Sequence, residues 1–128
     1  MSRIASLEVD QRGSVAVVHL TGEVDISNSR ELSAVLANSV VNEAAGLVLD
    51  VSETALLDSS AIHALFDISR RLDRRRQRFA IAAPEGCVIR RLLVLVGLPA
   101  VAPLHESVDA AVEFIESNTP PVQDAPRN

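Results

Sequence analysis

Gly46-Leu47-Val48-Leu49-Asp50-Val51, followed a few residues later by Leu57-Asp58-Ser59-Ser60-Ala61-Ile62, is the stretch on which the reading of this chain turns. The first piece is a short, nearly continuous apolar run bounded by turn signals, the pattern of a strand covered on both faces. In the second, an aspartate precedes two hydroxyl residues and an apolar stripe, which marks a helix start with Asp58 as its cap. A strand that feeds a helix in this way calls for a crossover connection and a parallel neighbour. Helix starts also favour negative charge, because free amides and the positive end of the macrodipole contribute ~0.3 to 1 kcal/mol per exposed anionic group. A serine of this first turn, Ser59 or Ser60, is therefore a physically sensible place for a phosphate, beside the plain reading of both as ordinary first-turn residues.

Working upstream, Ala5 to Gln11 and Ser14 to Leu20 alternate like strands around Arg12-Gly13, a connection suited to a hairpin. Thr21-Gly22-Glu23-Val24-Asp25 reads as a loop. Asn28 to Val40 then carries Leu32, Val35, Leu36 and Val40 at helical spacing, with Ser27 or Asn28 placed to cap it and Glu31 in its first turn. Downstream, the helix begun by Asp58 is predicted to reach about Arg76, with Ile62, Leu65, Phe66, Ser69 and Leu72 along its inner stripe. Arg78 to Ala83 is the next strand. Pro84-Glu85-Gly86 opens a third helix through about Val96, ended by Gly97 as a left-handed cap. A short strand near Ala100 to Pro103 follows, and Ser107 caps a last helix on which Val108, Ala111, Val112 and Ile115 share a face. The order ββαβαβαβα predicts an α/β domain over residues 1–118, with a mixed, mostly parallel sheet of about five strands and four helices. Residues 119–128, rich in proline, are expected to form a disordered tail.

Composition removes several function classes. With 128 residues, 48% of them hydrophobic, one domain can bury a sizeable core without a metal or disulfide staple. The single cysteine, Cys87, has no partner for an internal disulfide, and Met1-Ser2-Arg3-Ile4 opens into mixed polar sequence without an apolar secretion signal. The expected location is the cytoplasm. Leu92 to Leu104, the longest apolar run, is broken by Gly97, Pro99 and Pro103 and falls short of the ~18 residues of a membrane span. A net charge of -5 and 2% aromatic residues leave neither the basic footprint nor the stacking platforms of a nucleic-acid binder.

No constellation points to catalysis. His19, His63 and His105 are predicted in a strand, a helix and a loop, with no ligand spacing around them, so no metal site is expected. Ser59 and Ser60 have no G-x-S-x-G elbow, and no glycine-rich phosphate loop is present, so neither a hydrolase nor a nucleotide enzyme is indicated. Cys87, at a helix start without a resolving cysteine, reads as structural. The dense run Arg70, Arg71, Arg74, Arg75, Arg76 and Arg78 reads as a solvated helix end. Asp67 lies three and four residues before Arg70 and Arg71, Asp73 three before Arg76, and cations complement a helix C-terminus.

With this order of elements, three motifs carry a family likeness: Leu20-Thr21-Gly22-Glu23-Val24-Asp25, Leu47-Val48-Leu49-Asp50-Val51 leading into Leu57-Asp58-Ser59-Ser60, and the Arg91-Leu92 to Gly97-Leu98 helix end. From about Ala5 to Ser117 the chain resembles the STAS-domain proteins, specifically the stand-alone bacterial anti-sigma factor antagonists. The resemblance implies a STAS-type fold and a protein switch without catalysis or cofactor of its own. In that switch the unphosphorylated antagonist binds a kinase-type anti-sigma factor and frees the sigma factor it held. Phosphorylation by the same serine kinase turns binding off, and a serine phosphatase reverses it. By position, the resemblance implies Ser59 as the phosphorylated residue, with Asp58 and Asp25 as the acidic positions beside it. The implied docking surface comprises Thr21, Glu23, Asp25, Asp58, Ser59, Ser60, Ala61, Ile62 and His63. Ala61 and His63 stand where the family commonly has a glycine and a small residue, so a methyl and a ring are expected where a partner backbone approaches. The alternative is a STAS subunit docked on a membrane transporter ATPase or permease, and a small-ligand module would need a pocket that no motif specifies.

Overall fold

Val15 to Val18, Leu47 to Leu49 and Phe79 to Ala82 are apolar at every residue and buried at every residue, because their strands have protein on both faces. In the computed structural model, which describes residues 5–117, these runs form the middle of a five-stranded sheet. Its order is β1 (Ser6–Arg12), β2 (Val15–Val24), β3 (Gly46–Leu57), β4 (Arg78–Ala82) and β5 (Leu104–His105). β1 is antiparallel to β2, and the remaining pairs are parallel. The helices are α1 (Ser29–Ser39), α2 (Ser59–Arg74), α3 (Val88–Leu95) and α4 (Val108–Ser117). The tail expected at 119–128 lies outside the described residues.

Strand order follows chain order here, and parallel crossovers are right-handed, so every crossover helix must land on the same face. The core agrees. Leu32 and Leu36 of α1, Leu65 and Leu72 of α2, and Ile89 and Leu93 of α3 form one cluster with Ala16, Val18, Leu47, Leu49, Phe79 and Ile81. Helix α4 follows the last strand and is free to cross to the other face. There Ala111, Val112 and Ile115 cover Val15, Val17, Val48, Ala80 and Ala82, the alternate residues of the same strands.

Several boundaries differ from the sequence reading, each for a local reason. Thr21 to Val24 is not a loop: it extends β2 and pairs with an extension of β3, from Thr21↔Glu53 to Val24↔Leu57. Register shifts at His19/Thr21 and Gly22/Glu23 break the alternation, and Gly22 has φ +97° at the second of them. The buried stripe of α2 is Ala61, Ala64, Leu65, Ile68, Ser69 and Leu72, with Ile62 and Phe66 only half-buried at its edge. Helix α2 ends at Arg74, not Arg76. Helix α3 begins at Val88 because Pro84 to Cys87 closes a turn, the Cys87 amide donating to Pro84 O at 2.9 Å. The last strand is Leu104–His105, not 100–103, since Gly97 (φ +80°) and Pro99 set a 3₁₀ turn over Leu98–Ala100.

A buried glutamine ties the end of the sheet together. Gln77 Nε2 donates to the carbonyls of Val41, Asn42 and Ala44 at 2.9, 3.3 and 3.1 Å, fastening the α1–β3 connection to the start of β4. A leucine of similar size would strand those carbonyls. Gln77→Leu is expected to destabilise the domain by about 1–3 kcal/mol, read as a lower urea midpoint with an unchanged m-value.

Candidate functional site

The paired extensions of β2 and β3 end side by side, and the Asp58 amide donates to Val24 O at 3.1 Å. The Asp25–Asn28 turn is thereby set against the start of α2. Asp58 is the N-cap in extended conformation, and its Oδ1 accepts from the Ser60 amide at 2.9 Å, the Ala61 amide at 3.1 Å and the Ser60 hydroxyl at 2.6 Å. The Ser60 hydroxyl chiefly, joined by the Ala61, Ser60 and Ile26 amides, holds the Asp58 carboxyl below the usual range against the opposing effect of burial. Asp25 is held low by the Ser27 hydroxyl and amide, at 2.5 and 2.9 Å, while burial and the negative charge of Asp58 push the other way. Two carboxylates thus stay ionised close enough to feel each other.

The start of α1 is built differently from expectation. Asn28 sits at the N-cap position but makes no capping bond. Its side chain accepts from the Asp25 amide at 2.9 Å and donates to Glu23 O at 3.0 Å, which fixes the turn that carries Asp25 and Ile26.

The two serines are not equivalent. Ser60 is half-buried and its hydroxyl is spent on Asp58. Ser59 is exposed, and among the described residues its hydroxyl has no hydrogen-bond partner. His63, one turn further along α2, is also exposed, and Ile62 is half-buried. Ala61 is fully buried, so its methyl points into the core rather than toward an approaching partner. Glu23 and Thr21 are exposed, but Thr21 pairs with Glu53, roughly 10 Å down the strand from the helix start. Ile26, which the sequence reading did not place at this rim, is 81% exposed, with its amide bonded to Asp58. Its signal was a lone large apolar side chain inside the polar run Asp25-Ile26-Ser27-Asn28.

Asp58→Ala is expected to lower the melting temperature, whereas Asp58→Asn, which keeps an acceptor, retains most of it. Because the Asp58 carboxyl is depressed when folded, its stabilisation is present above the ordinary value of 3.8 and is lost as pH falls through the depressed one. The difference between wild type and Asp58→Ala in thermal melts should therefore be constant near neutrality and shrink only in acid.

Elsewhere, His19 Nδ1 lies 2.7 Å from Asp50 Oδ2 on the part of the sheet that α4 leaves open. Burial acts to raise Asp50, but the Ser52 amide and His19 outweigh it and hold the carboxyl low. His105 stacks on Phe114 with centroids 4.8 Å apart, and burial lowers its pKa. Cys87 is half-buried, its Sγ 3.6 Å from Val51 O. Among the described residues no group of His, Cys, Asp and Glu is arranged to hold a metal, and no helix is long and apolar enough to cross a membrane.

A sequentially ordered mixed sheet, three helices on one face, a fourth on the other and a capped helix start at the rim define an α/β domain of STAS type. The STAS domain model matches residues 6–111, and the chain belongs to that family. Among solved structures, the chain is similar to an anti-sigma factor antagonist from Mycobacterium paratuberculosis, with 25% identity, a TM-score of 0.77, and coverage of 88% of this chain and 95% of that one. It shares the fold of the anti-sigma factor antagonist SpoIIAA in its unphosphorylated form, at 16% identity and a TM-score of 0.71, covering 88% and 97%. A sulfate transporter family protein from Wolinella succinogenes shares it more loosely, at 15% identity and a TM-score of 0.59, covering 81% and 86%. No curated protein sequence matches the chain.

Proposed function

We propose that this STAS domain is an anti-sigma factor antagonist, a cytoplasmic, non-enzymatic switch. It binds a kinase-type anti-sigma factor through the rim formed by Asp25, Ile26, Asp58, Ser59 and His63, with Thr21, Glu23 and Ile62 at the margin. Phosphorylation of Ser59 by that partner releases it, and a serine phosphatase restores the binding form. The observation that carries this reading is the exposed Ser59 hydroxyl at the start of α2, without a hydrogen-bond partner among the described residues, next to a Ser60 hydroxyl already committed to Asp58. Similarity to the mycobacterial antagonist supports it, and the transporter alternative rests on fold likeness alone.

The test uses a sigma factor held by an anti-sigma kinase from the same genome. Adding the purified chain is expected to liberate sigma factor in proportion to the antagonist added, as followed by size-exclusion chromatography. No release and no binding by any such kinase of that genome would remove the antagonist reading.

A further inference from the structure

Arg76 is the one non-glycine residue with a positive φ, +60°, among the described residues. It stands just past the end of α2, where its amide donates to Asp73 O at 3.0 Å and the Gln77 amide to Leu72 O at 2.9 Å. This pair of bonds is the Schellman closure, and glycine is the preferred residue at that position because a side chain is disfavoured in left-handed backbone. An arginine there is unfavourable for the helix end itself. The ion pair expected between Asp73 and Arg76 does not form. Among the described residues, the Arg76 and Arg78 guanidinium groups have neither an ion pair nor a hydrogen bond.

Both arginines line a cavity of about 620 Å³ at the end of the domain opposite Ser59. Phe79, Val101 and Phe114 supply apolar wall, and Asp73 is the only carboxylate among its lining residues; the same two arginines also line an adjoining cavity with Glu43 and Glu116, and neither glutamate forms an ion pair with them. Arg70, also on the wall, is neutralised by Asp67. The volume falls in the range of small-molecule sites, and two free guanidinium groups beside an apolar wall match an anionic head on an apolar body. Strained backbone that persists at a cavity is a mark of a binding role.

We propose that this cavity binds a small organic anion, a phosphate or carboxylate carried on an apolar body, with Arg76 and Arg78 holding the charged head against the Phe79–Phe114 side. The site is independent of the Ser59 rim and of the function proposed for it. The experiment is a titration of the isotope-labelled full chain, followed by amide chemical shifts, with phenyl phosphate, benzoate and inorganic phosphate as probes. Saturable shifts at Arg76, Arg78 and Phe79 are expected at low salt, half-saturating at about 1 mM or below for phenyl phosphate or benzoate, and the stronger of the two identifies the head group. Inorganic phosphate, lacking the apolar body, is expected to bind at least roughly fivefold more weakly. Arg78→Gln should weaken the better probe by roughly fivefold or more. Arg76→Gly should do the same while raising the melting temperature, since glycine relieves the left-handed residue. Absence of saturable shifts with both organic probes, or unchanged affinity in the two variants, overturns the proposal. Inorganic phosphate binding as tightly as phenyl phosphate, or a loss of stability in Arg76→Gly, overturns it equally.

Discussion

Gly46→Ala is expected to destabilise this domain by about 3 kcal/mol, lowering the urea midpoint by about 1–2 M. Gly46 opens β3, is buried, and pairs with Arg78 at the first rung of the β3–β4 ladder. A Cβ built there would lie 2.2 Å from Arg78 O and 3.0 Å from both Arg78 C and N. The obstacle is backbone, so no rotamer change can relieve it, and β4 would have to move away from β3. Gly86 provides the contrast. It has φ +92° but nothing within 4 Å of the place a methyl would occupy, so Gly86→Ala carries only the left-handed penalty, about 1 kcal/mol. Equal losses in the two variants would mean that close approach of the strands is not what glycine at position 46 provides.

The same strand shows how far the sequence could be read. Its apolar start, Leu47 to Val51, announced a strand with protein on both faces, while the remainder to Leu57 was hidden because burial there recurs at every third residue, Val51, Thr54 and Leu57. That spacing arises from register shifts against β2, which only the paired partner reveals. The order of elements, the Asp58 and Ser107 caps and the left-handed Gly97 were legible because each is a short-range chemical preference. The inner face of α2 was misjudged by rotation, since size-weighted patterning favours Ile62 and Phe66, whereas the small residues Ala61 and Ala64 are the ones buried. The two-residue strand β5 has too few residues to carry any period. At the proposed rim, residue types pointed to the helix start, yet the difference between Ser59 and Ser60 rests on which hydroxyl Asp58 captures. That is a matter of side-chain geometry. Burial of Ala61 likewise takes its methyl off the proposed docking surface, while His63 remains exposed there.

A phosphate on Ser59 is expected to weaken binding of the anti-sigma kinase about a hundredfold or more, and to do so without refolding the domain. The group adds about -1.5 to -2 charge at neutral pH. A bare helix start would offer it free amides, but here the Ser60 and Ala61 amides are already held by Asp58, and Asp25 adds a second carboxylate nearby. A phosphate there would project outward, beside the exposed Ile26, into the surface proposed for partner docking. An unpaired buried charge costs a few kcal/mol at such an interface, and about 2.7 kcal/mol is a hundredfold in Kd. Ser59→Asp carries less charge on a shorter side chain and should weaken binding by a smaller factor. Ser60→Ala removes a hydroxyl that supports the cap, so it should melt earlier yet bind like wild type and still accept phosphate at Ser59. Calorimetric titration of the wild-type, Ser59→Asp, Ser60→Ala and phosphorylated chains, with mass-spectrometric location of the phosphate, separates these outcomes. Phosphate found on Ser60, or a phosphorylated chain that binds as tightly as the unmodified one, would overturn the proposed Ser59 switch and leave Ser59 as an ordinary helix-start serine.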